Sequence, residues 1–108
     1  MALSKNEAIK MAKGFLDACS KKHDIKRAYI FGSFAKGTVK DYSDVDLAVV
    51  LGSLRTADEA IYDEDFEIFH EAQQYNALLE VVCFLEDAFD RNEGTIINRI
   101  RKEGIAII

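Results

Sequence analysis

Apolar residues recur at Ile9, Ala12, Phe15, Leu16 and Cys19, the three-and-four spacing of one helix face, and Ser4 with Glu7 three residues on makes the pairing of a capping box. The pattern predicts a first amphipathic helix that ends at the basic Lys21-Lys22-His23. The period then changes. Ala28-Tyr29-Ile30-Phe31 is short, aromatic and β-branched and stops at Gly32, which predicts a buried strand running into a turn, with Ser33 to Lys36 opening a short helix. Val45 to Leu51 is almost continuously apolar and predicts a second strand covered on both faces and ended by Gly52 and Ser53. Thr56 to Tyr75 is acidic, and Ile61, Phe66, Phe69 and Ala72 give it a ragged helical stripe that fits one helix or two. Leu78 to Leu85, interrupted by Glu80, predicts a third strand leading into Glu86-Asp87. Ile96, Ile97 and Ile100 mark a last helix with Asn92 as its start and Gly104 as its stop. The apolar tail Ile105-Ala106-Ile107-Ile108 then closes the sheet or covers the core; left exposed, it would favour a partner.

A length of 108 residues suits one hydrophobic core, so residues 1–108 are read as a single domain, without repeat, linker or proline. At 49% apolar and 31% charged the composition is ordinary for a soluble protein, and no apolar stretch nears the roughly 20 residues of a membrane span. Lys5, Glu7, Lys10 and Lys13 interrupt the apolar core that a signal peptide needs, so the expected location is cytoplasmic and no membrane is expected among the partners. Cys19 and Cys83 sit in apolar patterns without a second cysteine pair, so a zinc site is not expected and both are read as buried free thiols. A net charge of −5 argues against broad, sequence-independent nucleic-acid binding. It leaves a nucleotide substrate open, because metal ions neutralise phosphate locally.

The chemistry is concentrated in two stretches, Gly32-Ser33-Phe34-Ala35-Lys36-Gly37 and Ser43-Asp44-Val45-Asp46. Alternate strand positions share a face, so Asp44 and Asp46 should point the same way, close enough to hold one divalent cation or a pair. Glu80, set between Leu78-Leu79 and Val81-Val82, is the best third carboxylate, since an unpaired charge inside such a strand would cost several kcal/mol. The glycine turn complements the acids. Gly32 permits close approach, Ser33 offers a hydroxyl and free backbone donors to phosphate, and Gly37 lets the chain turn back. Lys36 and Lys40 either add positive charge at the phosphate end or are solvated loop lysines. Transfer of a nucleotidyl group needs this equipment, because negative charge builds on the α-phosphate and on the leaving pyrophosphate.

Taken together, Gly32-Ser33, Gly37, Ser43-Asp44, Asp46 and Glu80 resemble the nucleotidyltransferase superfamily that includes DNA polymerase beta, and most closely its minimal, stand-alone members. The resemblance runs from the first strand through the third carboxylate strand, and the combination Gly-Ser-x3-Gly with Ser-Asp-x-Asp is far more specific than either half. It implies an α/β (α+β) fold with a mixed sheet flanked by helices. It implies that Gly32, Ser33, Gly37 and Lys36 bind the triphosphate of ATP or another nucleoside triphosphate. Asp44, Asp46 and Glu80 would be catalytic and would ligate magnesium, two ions in the usual arrangement, with Glu80 helping to deprotonate the acceptor hydroxyl. The family frequently has aspartate at this third position, and Glu80 is one methylene longer.

Larger relatives add a domain that grips base and acceptor. The resemblance therefore implies that a second copy or another protein completes the cleft. Minimal members are often paired with a helical HEPN-type toxin, which implies an antitoxin that transfers AMP to a tyrosine or other hydroxyl of its partner. Two alternatives stand beside this one: a non-catalytic antitoxin or binding module that neutralises its partner sterically, motivated by the apolar tail, and a transferase acting on a small molecule of the aminoglycoside type. His23 is read as a favourable charge near a helix C-terminus and His70 as a face residue of the acidic helix. For Tyr29, Tyr42, Tyr62 and Tyr75, core or rim packing is favoured over stacking on a base.

Overall fold

Ser4 caps the first helix as its sequence requires: its hydroxyl accepts from the Glu7 N–H at 3.1 Å, and its own N–H donates to the Glu7 carboxylate at 3.0 Å. Helix α1 (Lys5–Cys19) turns Ala8, Ala12, Phe15, Leu16 and Cys19 inward, the spacing that its sequence announces. The computed structural model describes residues 4–36, 44–54, 61–92 and 94–108, with the side chains of Ser33, Lys36, Ile61 and Tyr62 outside that description.

Strands β1 (Ile25–Phe31), β2 (Val45–Leu51), β3 (Leu79–Leu85) and β4 (Ile105–Ala106) form one sheet in the order β3-β2-β1-β4. The sheet is mixed. β2 runs antiparallel to β1 and parallel to β3, and the short β4 pairs antiparallel to β1 through Tyr29↔Ala106 and Ile30↔Ile105. The apolar tail thus extends the sheet as an edge strand, while Ile107 packs against the core.

The remaining helices are α2 (Ser33–Lys36), α3 (Ile61–Tyr75), α4 (Glu86–Asp90) and α5 (Thr95–Glu103). From Ile61 onward the acidic segment is one helix, and 56–60 lie outside the described residues. Asn92 does not start the last helix. It sits in a left-handed turn at φ 56° after α4, a conformation asparagine tolerates, and Gly94 is the N-cap of α5. Gly104 ends α5 as expected, its N–H bonding the Ile100 carbonyl at 2.8 Å.

Strand alternation sorts side chains onto two layers. Ala28, Ile30, Leu47, Val49, Leu79 and Val81 meet Phe15, Leu16, Ile68 and Ala72 of α1 and α3. On the other face Ala48 and Val50 meet Phe89, Ile97 and Ile100 of α4 and α5, with Tyr29, Phe31, Val82 and Phe84 packed beside them. This double cover is why β2 is apolar at nearly every position. Cys19 and Cys83 are buried and free, and burial pushes the Cys19 thiol up to about 12 and the Cys83 thiol upward as well.

Candidate active site

Asp46 is the second residue of β2 and Glu80 the second of β3, and the parallel pairing sets them directly abreast. Both belong to the face that carries Ala48, Val50, Val82 and Phe84, at the end where β2 and β3 begin and β1 finishes; Phe31 is Asp46's partner on the other side. Asp44 lies two residues earlier in the same chain direction. Asp46 is half-buried, whereas Asp44 and Glu80 are exposed.

That exposure revises one argument from sequence. Glu80 sits in an edge strand with its side chain in solvent, so no burial penalty by itself demands a cation there. Its neighbourhood does the arguing instead. The Asp46 carboxyl is pushed up to about 6, first by burial, then by the charge and hydrogen bonding of Glu80, then by the charge of Asp44. Asp44, Asp46 and Glu80 therefore lie toward one end of the sheet, where the charges of the other two raise the central carboxyl. Carboxylate oxygens are hard donors, the kind that hard divalent cations take.

Gly32 closes the site from β1. Its φ of 72° lies in the left-handed region, and a Cβ built there would run into Oδ2 and Cγ of Asp46. Glycine is thus required twice, for the turn and for the room it leaves the carboxylate. The chain enters α2 at the next residue, so strand, turn and short helix follow as the sequence predicts. Ser33 opens α2 and Lys36 ends it, while Gly37, Lys40, Tyr42 and Ser43 lie outside the described residues.

The model of the family "Polymerase beta, Nucleotidyltransferase" matches residues 15–108, a span containing the glycine turn and all three acids. The chain belongs to this family. It is accordingly a nucleotidyltransferase, and the mixed sheet with flanking helices is the polymerase beta-like fold. No curated protein matches the chain.

Among solved structures, a candidate nucleotidyltransferase of Sulfolobus solfataricus is similar with a TM-score of 0.64 at 18% identity, over 94% of this chain and 80% of that one. A toxin–antitoxin structure with AMP-PNP gives a TM-score of 0.58 at 20% identity, over 98% of this chain and 73% of that one. A doubly substituted toxin–antitoxin MntA-HpeT gives 0.54 at 19% identity, again over 98% and 73%. At these identities the likeness is one of fold. Among the described residues no helix is long and apolar enough to cross a membrane.

Other sequence readings divide. Tyr29 stacks on Phe89 with ring centroids 5.3 Å apart, and Tyr75 tilts against Phe15 at 5.7 Å, so both serve packing. His70 is exposed on α3 and stacks on Phe66. His23, read from sequence as a favourable charge near a helix C-terminus, is buried, with side-chain nitrogens 2.5 Å from Glu64 and 3.2 Å from Glu71. Partners 41 and 48 residues away leave no local trace in sequence.

Proposed function

We propose that this one-domain chain is a magnesium-dependent nucleotidyltransferase that moves AMP from ATP to a hydroxyl, the acceptor being a tyrosine of a helical HEPN-type toxin that the modification silences. The observation that carries the reading is the abreast placement of Asp46 and Glu80 with Asp44 beside them, a like-charged cluster that a divalent cation would relieve. Asp44, Asp46 and Glu80 are the residues that would hold the ions. When bound, magnesium supplies charge neutralisation at the α-phosphate and the leaving pyrophosphate.

The chain's own groups do the rest. Gly32 leaves the Asp46 carboxylate its room beside the turn, and the Ser33 hydroxyl and the backbone entering α2 would orient the triphosphate. Lys36 and Gly37 belong to the same phosphate-binding segment. Glu80, exposed at the rim, would take the proton of the incoming hydroxyl, and positioning by these groups would convert an unfavourable encounter into an in-line one. The neighbouring toxin–antitoxin structures, one of them with AMP-PNP, support ATP and a toxin partner for this chain. They also support its work as an antitoxin; a cytoplasmic location and a cleft completed by a second copy or by the toxin are parts of the same proposal.

Incubation of the chain and its candidate toxin with α-labelled ATP and magnesium tests the reading. Label should pass to the toxin and should be lost in Asp46→Asn. Neutralisation that survives Asp44→Asn/Asp46→Asn would instead mark a steric antitoxin, and label passing to an aminoglycoside but not to protein would mark a small-molecule transferase.

A further inference from the structure

A second cluster of ligating side chains lies in the other layer of the molecule. After Cys19 the chain makes one more turn, with the N–H groups of Lys22 and His23 both bonded to the Cys19 carbonyl at 3.0 and 3.1 Å. That turn carries His23 round to the side of Cys19, although α1 has ended. On α3, Glu64 and Glu71 are seven residues apart, two helical turns, and so share a face. The two faces meet at His23, whose Nδ1 lies 2.5 Å from Glu64 Oε2 and whose Nε2 lies 3.2 Å from Glu71 Oε2.

Ligand atoms of Cys19, His23 and Glu71 all lie within 4.8 Å of one another. We propose that Cys19 Sγ, His23 Nε2 and a Glu71 carboxylate oxygen form a zinc site that fastens the end of α1 to α3. The donor set is sulfur, imidazole nitrogen and carboxylate, which favours a borderline-soft divalent ion over magnesium. Glu64 would supply the outer contact that zinc-bound histidines use: its fully buried carboxylate, 2.5 Å from Nδ1, would accept the Nδ1 proton in the tautomer that leaves Nε2, 3.2 Å from Glu71, as the ligand nitrogen.

The fourth position has somewhere to open. A pocket of about 160 Å³ is lined by Cys19 and Glu71 together with Lys22 and Tyr75, so a water or an incoming donor has access to the ion. Binding breaks the Cys19 S–H bond and forms a zinc–sulfur bond, with the proton released to solvent; the Nδ1 proton stays on its hydrogen bond to Glu64. Asp46 and Glu80 project from the opposite face of the sheet, so this site is independent of the proposed transferase chemistry. The competing account is a histidine simply wedged between two glutamates. It leaves Cys19 a core packing residue only.

Titration of the chelator-treated full chain with cobalt(II), followed by zinc, separates the two. One equivalent of cobalt should raise a thiolate-to-cobalt charge-transfer band that one equivalent of zinc removes and excess magnesium does not. The band should vanish in Cys19→Ser and persist in Cys83→Ser and in Asp46→Asn. Glu64→Gln should weaken zinc binding about 10–100-fold, the usual loss for an outer-shell partner. Absence of the band in the wild-type chain overturns the proposal, as does its survival in Cys19→Ser. Glu71→Gln, at the partly exposed edge, serves where the cysteine variant fails to fold, and unchanged zinc affinity there overturns the proposal too.

Discussion

Gly32 and Asp46 occupy one shared volume: the place a Gly32 side chain would take is filled by the Asp46 carboxylate. Gly32→Ala should therefore act twice. The left-handed φ of 72° costs a Cβ-bearing residue about 1–2 kcal/mol, and the new methyl must displace the acid from its position beside Glu80. A denaturant melt should register the first effect, and nucleotide-transfer assays should fall about 100-fold through the second. Full activity in Gly32→Ala would show that the carboxylate does not need its present position.

Asp46 also predicts a pH dependence for the metal-free protein. Its carboxyl titrates at about 6 in the folded chain, above its ordinary value of 3.8, so between those limits the folded state binds a proton that the unfolded state has released. Stability is consequently greatest at the acid side of that window and is lost as pH rises through 6. Thermal melts in chelator should show Tm falling from about pH 4 to pH 7 through this group. Asp46→Asn should flatten the step and raise Tm at pH 7, even while it abolishes transfer; magnesium should raise the wild-type Tm there and leave the variant unmoved.

Glu80 should behave in the opposite sense, with a large effect on activity and a small one on folding. Its side chain is exposed, and surface substitutions away from packing contacts usually fall within about 0.5 kcal/mol. Loss of a group that carries a proton or a metal, by contrast, costs about 100-fold or more in rate. Glu80→Gln with an unchanged urea midpoint and a collapsed transfer rate is the expected pair of results. Retained transfer in this variant would remove Glu80 from the reaction.

The order of elements was legible where a segment's pattern is clear: Val45 to Leu51 is apolar but for Asp46 since both faces are covered, and Ser4 with Glu7 fixes the start of α1 through local hydrogen bonds, whereas the ragged stripe of the acidic segment left one helix or two open. The place of Asp46 was legible too, inside the apolar run that becomes β2, whereas Asp44 lies one residue before that strand begins. Three features were not. Glu80 looks buried in sequence because its neighbours are apolar, yet it lies at the open end of an edge strand, and only the β3-β2 order reveals this. Asn92 mimics a helix cap, and its true use is the left-handed turn between α4 and α5. His23 reads as a helix-end charge because Glu64 and Glu71 reach it across the packing of α3 on α1, a relation with no sequence period.

Phe89 holds the layer behind the acids. It is fully buried at the end of α4, stacked on Tyr29 at 5.3 Å and tilted against Phe84 at 6.0 Å. The Arg27 and Arg101 guanidiniums sit 5.2 and 5.6 Å from its ring centroid, and Arg101 Nη1 also donates to its carbonyl at 2.9 Å. Truncation thus removes aromatic packing and leaves both cations without the ring face that receives them. Phe89→Ala should cost about 3–5 kcal/mol in urea unfolding, against a total of about 5–15 kcal/mol for a domain of this size. Phe89→Leu, which keeps most of the volume, should cost distinctly less. Since Tyr29, Phe31 and Asp46 share this face, the alanine variant should also lose transfer at temperatures where it remains folded, while an unfolding cost below about 1 kcal/mol would show that α4 and α5 do not close this face of the sheet.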